Sequence, residues 1–159
     1  MAGRLFVCAT PIGNLEDAGR RLLRVLAEVD VVAAEDTRRT RKLLSHYGIS
    51  ARLVSYHQGN ERSSALRLLA RMRRGERVAL VADSGTPAIS DPGYVIVRAC
   101  IDEGIPIEVV PGPSAAVAAL VASGLPTARF AFEGFLPRKE GERRRRLKDL
   151  SADERTFVI

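Results

Sequence analysis

The chain has 159 residues, 46% hydrophobic and 28% charged, with a formal net charge of +6 and a sequence pI of about 10.0. That balance excludes a disordered polymer and leaves room for one full domain and part of a second. Most of the positive charge is arginine, which points to a polyanionic partner such as RNA.

Arg4 to Ala9 (RLFVCA) reads as a first strand, stopped by Thr10-Pro11, because proline lacks an N–H and fixes φ. From Asp17, expected as the N-cap, Ala18, Leu22, Val25, Leu26 and Val29 recur at helical spacing with Arg20, Arg21 and Arg24 opposite. Val29 to Ala34 reads as a second buried strand. Glu35-Asp36-Thr37 comes next, then a basic helix, RRTRKLLSHY, closed at Gly48. Arg52 to Tyr56 reads as a third strand, His57 to Glu61 as a polar loop, and Ser63 to Arg74 as a helix with Leu66, Leu69 and Met72 inward. Arg77 to Ala82 is apolar throughout, as in a strand buried on both faces of a parallel sheet.

Val81 to Gly93 (VADSGTPAISDPG) is longer and richer in Gly, Pro and Ser than a simple turn needs, and is expected to be a ligand loop. Tyr94 to Glu103 reads as a helix capped by Gly104, and Ile107 to Val110 as a fifth strand. Pro111-Gly112-Pro113 breaks it, Ser114 caps the next helix, and that helix, AAVAALVAS, is expected to be almost wholly buried. Beyond Pro126 come FAFEGFLPRK, the basic helix GERRRRLKDL and the apolar run RTFVI. The expected organisation is an α/β domain with a mostly parallel sheet over residues 1–125, then the start of an incomplete second domain over 126–159. No apolar run approaches the roughly 18 residues of a membrane span, and Leu5 to Ala9 is too short for a signal-peptide core, so a soluble, cytoplasmic protein is expected. Cys8 and Cys100 lie in apolar runs without CxxC spacing and are expected as buried thiols, with no metal site.

In parallel α/β sheets ligands bind beyond the carboxyl ends of the strands, and here those ends hold Thr10-Pro11, Glu35-Asp36, Ser55 to His57, Asp83-Ser84 and Pro111-Gly112. No G-x-G-x-x-G follows the first strand, and no phosphate-binding G-x-x-x-x-G-K-[ST] or nucleophile-elbow G-x-S-x-G occurs. Gly85 lets backbone approach a ligand closely, and Pro87 and Pro92 stiffen the loop. Glu35 and Asp36 are open to two readings, a plain helix N-terminal pair or a proton acceptor. His57, in a loop at a strand end, is a candidate of the same kind, whereas His46 sits in a last helical turn where a cation is favoured in any case. Arg143 to Arg146 reads as a solvated helical face.

Six strings in order, ATPIGNLED, AAEDTRRTRKLL, SYHQGNE, ADSGTPAISDPG, VVPGPSA and FEGFLPRK, together resemble the family of small-subunit ribosomal RNA methyltransferase I, within the tetrapyrrole-methylase superfamily. The resemblance implies a Rossmann-like N-terminal domain and a second α/β domain enclosing S-adenosylmethionine without the glycine fingerprint. It further implies an enzyme that methylates the ribose 2′-hydroxyl of a cytidine in 16S ribosomal RNA or the assembled small ribosomal subunit, and a homodimer. Carried over motif by motif, Pro11, Ser84, Gly85, Thr86, Pro87, Ile89, Gly112, Ser114 and Ala115 become the cofactor residues. Asp36, Glu35 and His57 are the candidate bases, and Arg38, Arg39, Arg41, Arg138 and Lys139 the candidate RNA contacts. Two other readings stay open: a methyltransferase acting on a tetrapyrrole or another small molecule, and a non-catalytic RNA-binding module.

Overall fold

The computed structural model describes residues 3–159, and the chain divides after Pro113 into two units. The first carries β1 (Arg4–Cys8), α1 (Arg20–Glu28), β2 (Val31–Ala34), α2 (Thr37–His46), β3 (Leu53–Ser55), α3 (Glu61–Arg73), β4 (Arg77–Val81), α4 (Tyr94–Asp102) and β5 (Ile107–Val110). Its strands form one parallel sheet in the order β3-β2-β4-β1-β5.

Strand side chains alternate in direction, so a run that is apolar at every position feeds two cores. Leu5, Val7, Val31, Ala33, Val78 and Leu80 face Leu68, Leu69 and Met72 of α3 and Ile96 and Cys100 of α4. Phe6, Cys8, Val32, Ala34, Ala79 and Val81 face Leu22, Val25 and Leu26 of α1 and Leu43 and Leu44 of α2. Each large apolar side chain so buried contributes about 1.5–3 kcal/mol before chain entropy is counted. Neighbouring strands β1 and β4 send their next helices to opposite faces, which opens a crevice at their carboxyl ends.

Two local expectations are corrected. Asp17 is not the N-cap of α1: Leu15–Asp17 form a single 3-10 turn capped by Asn14, and α1 starts later with Gly19 at its N-cap. Leu66 points outward at 69% exposure, because the inward stripe of α3 runs through Ala65, Leu68, Leu69 and Met72, the i, i+3, i+4, i+7 pattern one step away.

The second unit holds α5 (Ala115–Ala122), β6 (Phe130–Phe132), α6 (Glu140–Leu150) and β7 (Thr156–Val158), with β6 and β7 paired in parallel. This division assigns α5 to the second unit, whereas the composition change at Pro126 places it in the first. The near-complete burial expected of α5 is also corrected. Only Leu120 is buried, and Val117 and Val121 are exposed, because a helix apolar on all sides has only β7 as a close neighbour within its unit. Arg143 to Arg146 form an exposed face of α6, laced by an Arg144–Glu140 pair at 2.8 Å. Among the described residues no helix is long and apolar enough to cross a membrane.

Candidate functional site

The loop after β4 is bound back onto the end of β1. Thr10 N–H donates to Gly85 O at 2.9 Å, Gly85 N–H donates to Thr10 O at 3.1 Å, and Thr10 Oγ1 donates to Ala82 O at 3.3 Å. Gly85 has φ +76°, and a Cβ there would stand 3.6 Å from Ile12 Cγ2 and 3.8 Å from Pro113 O, so the segments after β1, β4 and β5 converge on it. Gly112 lies as close to β1: a Cβ on it would come within 3.1 Å of Ala9 Cβ. Further along the loop Ala88 and Ser90 take φ of +69° and +61°, the non-glycine residues among those described that do so. An L side chain in that region costs about 1–2 kcal/mol, and such strain gathers where backbone shape serves a ligand. The amides of Ala88 and Ser90 donate to no group among the described residues. Pro87 is buried, whereas Ser84 and Ile89 are exposed.

Four carboxylates occupy this end of the sheet: Glu35 and Asp36 after β2, Asp83 after β4, and Asp91 within the loop. Asp83 Oδ1 accepts from the Asp36 N–H at 2.9 Å, and Oδ2 lies 3.5 Å from Arg39 Nε. Partial burial, and then the charges of Asp91 and Asp83, push the Glu35 carboxyl above its ordinary 4.5, with the Asp83 N–H and Arg39 offsetting part of the rise. Burial first and Asp83 second push Asp91 above its ordinary 3.8. Asp36 moves the other way, since hydrogen bonds from Arg38 hold it at about 2. It is the N-cap of α2, its Oδ1 accepting from Arg38 N–H at 2.8 Å and its Oδ2 from the guanidinium at 3.0 Å. Adjacent residues therefore differ in chemistry: Arg38 lowers the proton affinity of Asp36, while burial with the charges of Asp91 and Asp83 raises that of Glu35. Among the described residues no three acidic, histidine or cysteine side chains form a metal-binding group.

Glu61, in the first turn of α3, is a positioning residue that the sequence does not reveal. Its Oε1 accepts from Gly93 N–H at 2.8 Å, from the hydroxyl of buried Tyr56 at 3.1 Å and from Val95 N–H at 3.4 Å. One carboxylate from α3 thus caps the N-terminus of α4, where negative charge is favoured, and fixes the far end of the strained loop. On sequence Glu61 falls at the end of the polar loop His57 to Glu61, and no local pattern announces that it caps a helix elsewhere. His57 serves its turn: Nδ1 accepts from Gly59 N–H at 3.1 Å, and its own N–H donates to Asn60 Oδ1 at 2.9 Å. The Gly59 N–H thus occupies the Nδ1 lone pair, and the ring closes its own turn.

A family model described as Tetrapyrrole (Corrin/Porphyrin) Methylases matches residues 4–159. Ribosomal RNA small subunit methyltransferase I of Escherichia coli O157:H7 is 52% identical over 157 residues, which are 99% of this chain and 55% of that relative. The protein of the same name from Thermotoga maritima is 48% identical over 157 residues, 99% of this chain and 70% of its own length. The chain belongs to the ribosomal RNA small subunit methyltransferase I family of tetrapyrrole methylases. It spans about half the length of most of the relatives it matches, as the Escherichia coli figure of 55% illustrates. The crystal structure of uroporphyrin-III-C-methyltransferase from Thermus thermophilus has the same fold, with a TM-score of 0.66 and 28% identity over 93% of this chain and 72% of that one.

In this methyltransferase I family member the first unit brings Pro11, Gly85 and Gly112 together through the contacts of Thr10 and Ala9. Ser114 and Ala115 open the second unit, where Ser114 Oγ accepts from Val117 N–H at 3.5 Å as the cap of α5. Arg138 and Lys139 also lie in the second unit, with Lys139 exposed and 3.6 Å from Glu142. Arg38 and Arg39 are engaged by Asp36 and Asp83, whereas Arg41 is exposed with no carboxylate partner among the described residues. Between the end of β1 and α2 lies a cavity of about 130 Å³ whose walls include Thr10, Pro11, Arg39, Lys42 and Asp83. Pockets that enclose a drug-sized ligand begin at roughly 300 Å³. This one is sized for a single moiety.

Proposed function

We propose that this chain carries the cofactor loop and the proton acceptor of an S-adenosylmethionine-dependent methyltransferase that modifies the ribose 2′-hydroxyl of a cytidine in small-subunit ribosomal RNA. One arrangement supports the reading: a strained loop with open amides, tied to β1 and flanked by a carboxyl whose proton affinity burial and neighbouring acids raise, in a chain whose relatives are named for small-subunit ribosomal RNA.

When bound, S-adenosylmethionine supplies an electrophilic methyl group on a cationic sulfur. The donor set suits it, because Asp83 and Asp91 bring negative charge and the loop brings free amides. Pro11, Ser84, Gly85, Thr86, Pro87, Ile89 and Gly112 of the first unit would hold it. Glu35 is the base in this reading, since a carboxylate whose proton affinity is raised by burial and by Asp91 and Asp83 is a stronger base than Asp36, whose affinity Arg38 lowers. Asp36 caps α2 and His57 shapes its turn, so both serve the scaffold. Arg41 of the first unit faces RNA phosphates; Arg38 and Arg39 contribute less while their own carboxylates hold them. Positioning of hydroxyl and methyl group can supply roughly 7–11 kcal/mol of the acceleration.

The test is methyl transfer by the full-length protein to small ribosomal subunits, with the product then mapped. One cytidine that becomes resistant to alkaline cleavage is expected, since methylation removes the 2′-hydroxyl nucleophile. Glu35→Gln should lower kcat by about 100-fold or more, while Asp36→Asn keeps most of the activity. Methylation of a porphyrinoid but not of the subunits would refute the RNA assignment, and subunit binding without S-adenosylmethionine binding would refute the enzyme.

A further inference from the structure

The outward face of α2 holds a groove of about 570 Å³ lined by Leu15, Arg38, Arg41, Lys42, Ser45 and His46. The four residues Arg38, Arg41, Lys42 and Ser45 fall at i, i+3, i+4 and i+7, one stripe of a helix whose other side buries Thr40, Leu43 and Leu44. The wall opposite is fixed by the Tyr47 hydroxyl, which donates to Leu15 O and so ties the 3-10 turn to the end of α2. No acidic side chain lines this groove among the described residues.

The cations on α2 are not equivalent. Arg38 is bound by Asp36 at 3.0 Å, and Arg39 lies 3.5 Å from Asp83, so each has a carboxylate of the strand-end site as its counter-charge. Arg41 and Lys42 are exposed, and neither has a carboxylate partner among the described residues. Lys42 and Leu15 also line the small cavity that contains Thr10 and Asp83, so the groove runs into the strand-end site. A basic channel that begins at the reacting end of a sheet and continues along a helix suits a chain of phosphodiesters, whose charge recurs at each nucleotide.

We propose that the Arg41–Lys42 groove seats the RNA phosphates flanking the target nucleotide, with Lys42 at the junction between groove and site. The inference rests on the RNA methyltransferase reading and adds to it a division of labour: Arg41 and Lys42 contact RNA, while Arg38 and Arg39 serve the strand-end acids.

The experiment measures binding of full-length protein to small ribosomal subunits across a salt series, beside S-adenosylmethionine binding by equilibrium dialysis and methyl transfer. Each phosphate contact contributes about 0.7 to 0.9 to the slope of log K against log salt. The double variant Arg41→Gln/Lys42→Gln is expected to flatten that slope by about 1.4 to 1.8 while retaining the thermal midpoint, and Arg41→Gln alone, outside the strand-end cavity, to flatten it by about 0.7 to 0.9 with cofactor binding retained. Arg38→Gln should flatten it by less than half as much as the double variant, and Arg98→Gln, on the opposite face of the sheet, should leave it unchanged. A double variant with the wild-type slope overturns the groove, as does an Arg38→Gln variant that loses as much. If the double variant loses slope but the wild type transfers no methyl group, the groove stands and the enzymatic reading falls.

Discussion

Replacing Glu61 by alanine removes a single oxygen shared by three donors. Tyr56 and Gly93 are both buried, so the Tyr56 hydroxyl and the Gly93 N–H would be left without partners away from water. An orphaned buried donor costs about 1–3 kcal/mol, so the two together set the expected loss near 3 kcal/mol. The Val95 N–H, at 3.4 Å, adds little. Urea denaturation with an unchanged m-value reads the loss as a shift in midpoint. Tyr56→Phe removes one donor but leaves Glu61 its other partners, and should cost about 1 kcal/mol. In the double variant that second cost should largely disappear, since the hydroxyl has no acceptor left to lose. Glu61→Gln keeps an acceptor oxygen and should fall between wild type and Glu61→Ala. A Glu61→Ala loss below about 0.5 kcal/mol, the range of ordinary surface substitutions, would refute the latch. Strictly additive costs in the double variant would do the same.

Asp91 is raised above its ordinary 3.8, so below that value folded and unfolded chains both hold the proton, and stability falls as pH rises through the folded-state titration. Asp91→Asn should therefore be more stable than wild type at pH 7 and lose that advantage below pH 3.8, and equal stability at both pH values would refute the assignment. Gly93→Ala places a Cβ 2.9 Å from Ala88 Cβ at φ +152° and should cost about 2–4 kcal/mol by the same denaturation assay. Cys8, pushed up to about 12 by burial, and Cys100, pushed up to about 11 by burial, should resist a thiol reagent at pH 8 until the protein unfolds, and rapid labelling of the native protein would contradict their burial.

The parallel sheet is legible in the sequence because buried central strands are apolar along nearly their whole length: VVAA, and RVALV after its first residue, can be neither surface helix nor half-exposed strand. The helices around it are legible from their period, but only as far as large residues mark it. On α3 the stripe includes Ala65 and Ser64, which are too small to register as core, so the pattern favours Leu66 in their place. On α5 the lack of a period suggests burial, although a helix apolar on all sides says nothing about what covers it. At the site, the strand ends can be located from the chain but the partners across them cannot. Glu35 is far in the chain from Asp83 and Asp91, and the adjacency of β2 and β4 makes their charges act on it. Asp36, its undivided partner on sequence alone, is set apart by the hydrogen bonds of Arg38.

The unfavourable features of the first unit gather at one end of its sheet. There Ala88 and Ser90 hold strained backbone, Gly93 admits no Cβ, and Glu35 and Asp91 carry raised carboxyls. Each of these costs free energy that the two apolar faces of the sheet must offset, and none contributes to packing. At the opposite end Gly3 also admits no Cβ, which would run into Met72 O, but the charges there are paired: Arg4 and Arg21 meet Glu108 at 3.2 and 2.5 Å, and the Asp30 carboxylate accepts from the Arg77 N–H at 2.6 Å. A sheet that stabilises one end with complementary charge and crowds like charges at the other has an energetic direction. The crowded end gains most from a cation, which would relieve the acids, and from polar groups that would meet the loop's open amides. Ligand binding and folding stability thus draw on the same residues, so a substitution that relaxes the carboxyl end, as Asp91→Asn does, stabilises the empty protein and weakens its hold on a cationic ligand.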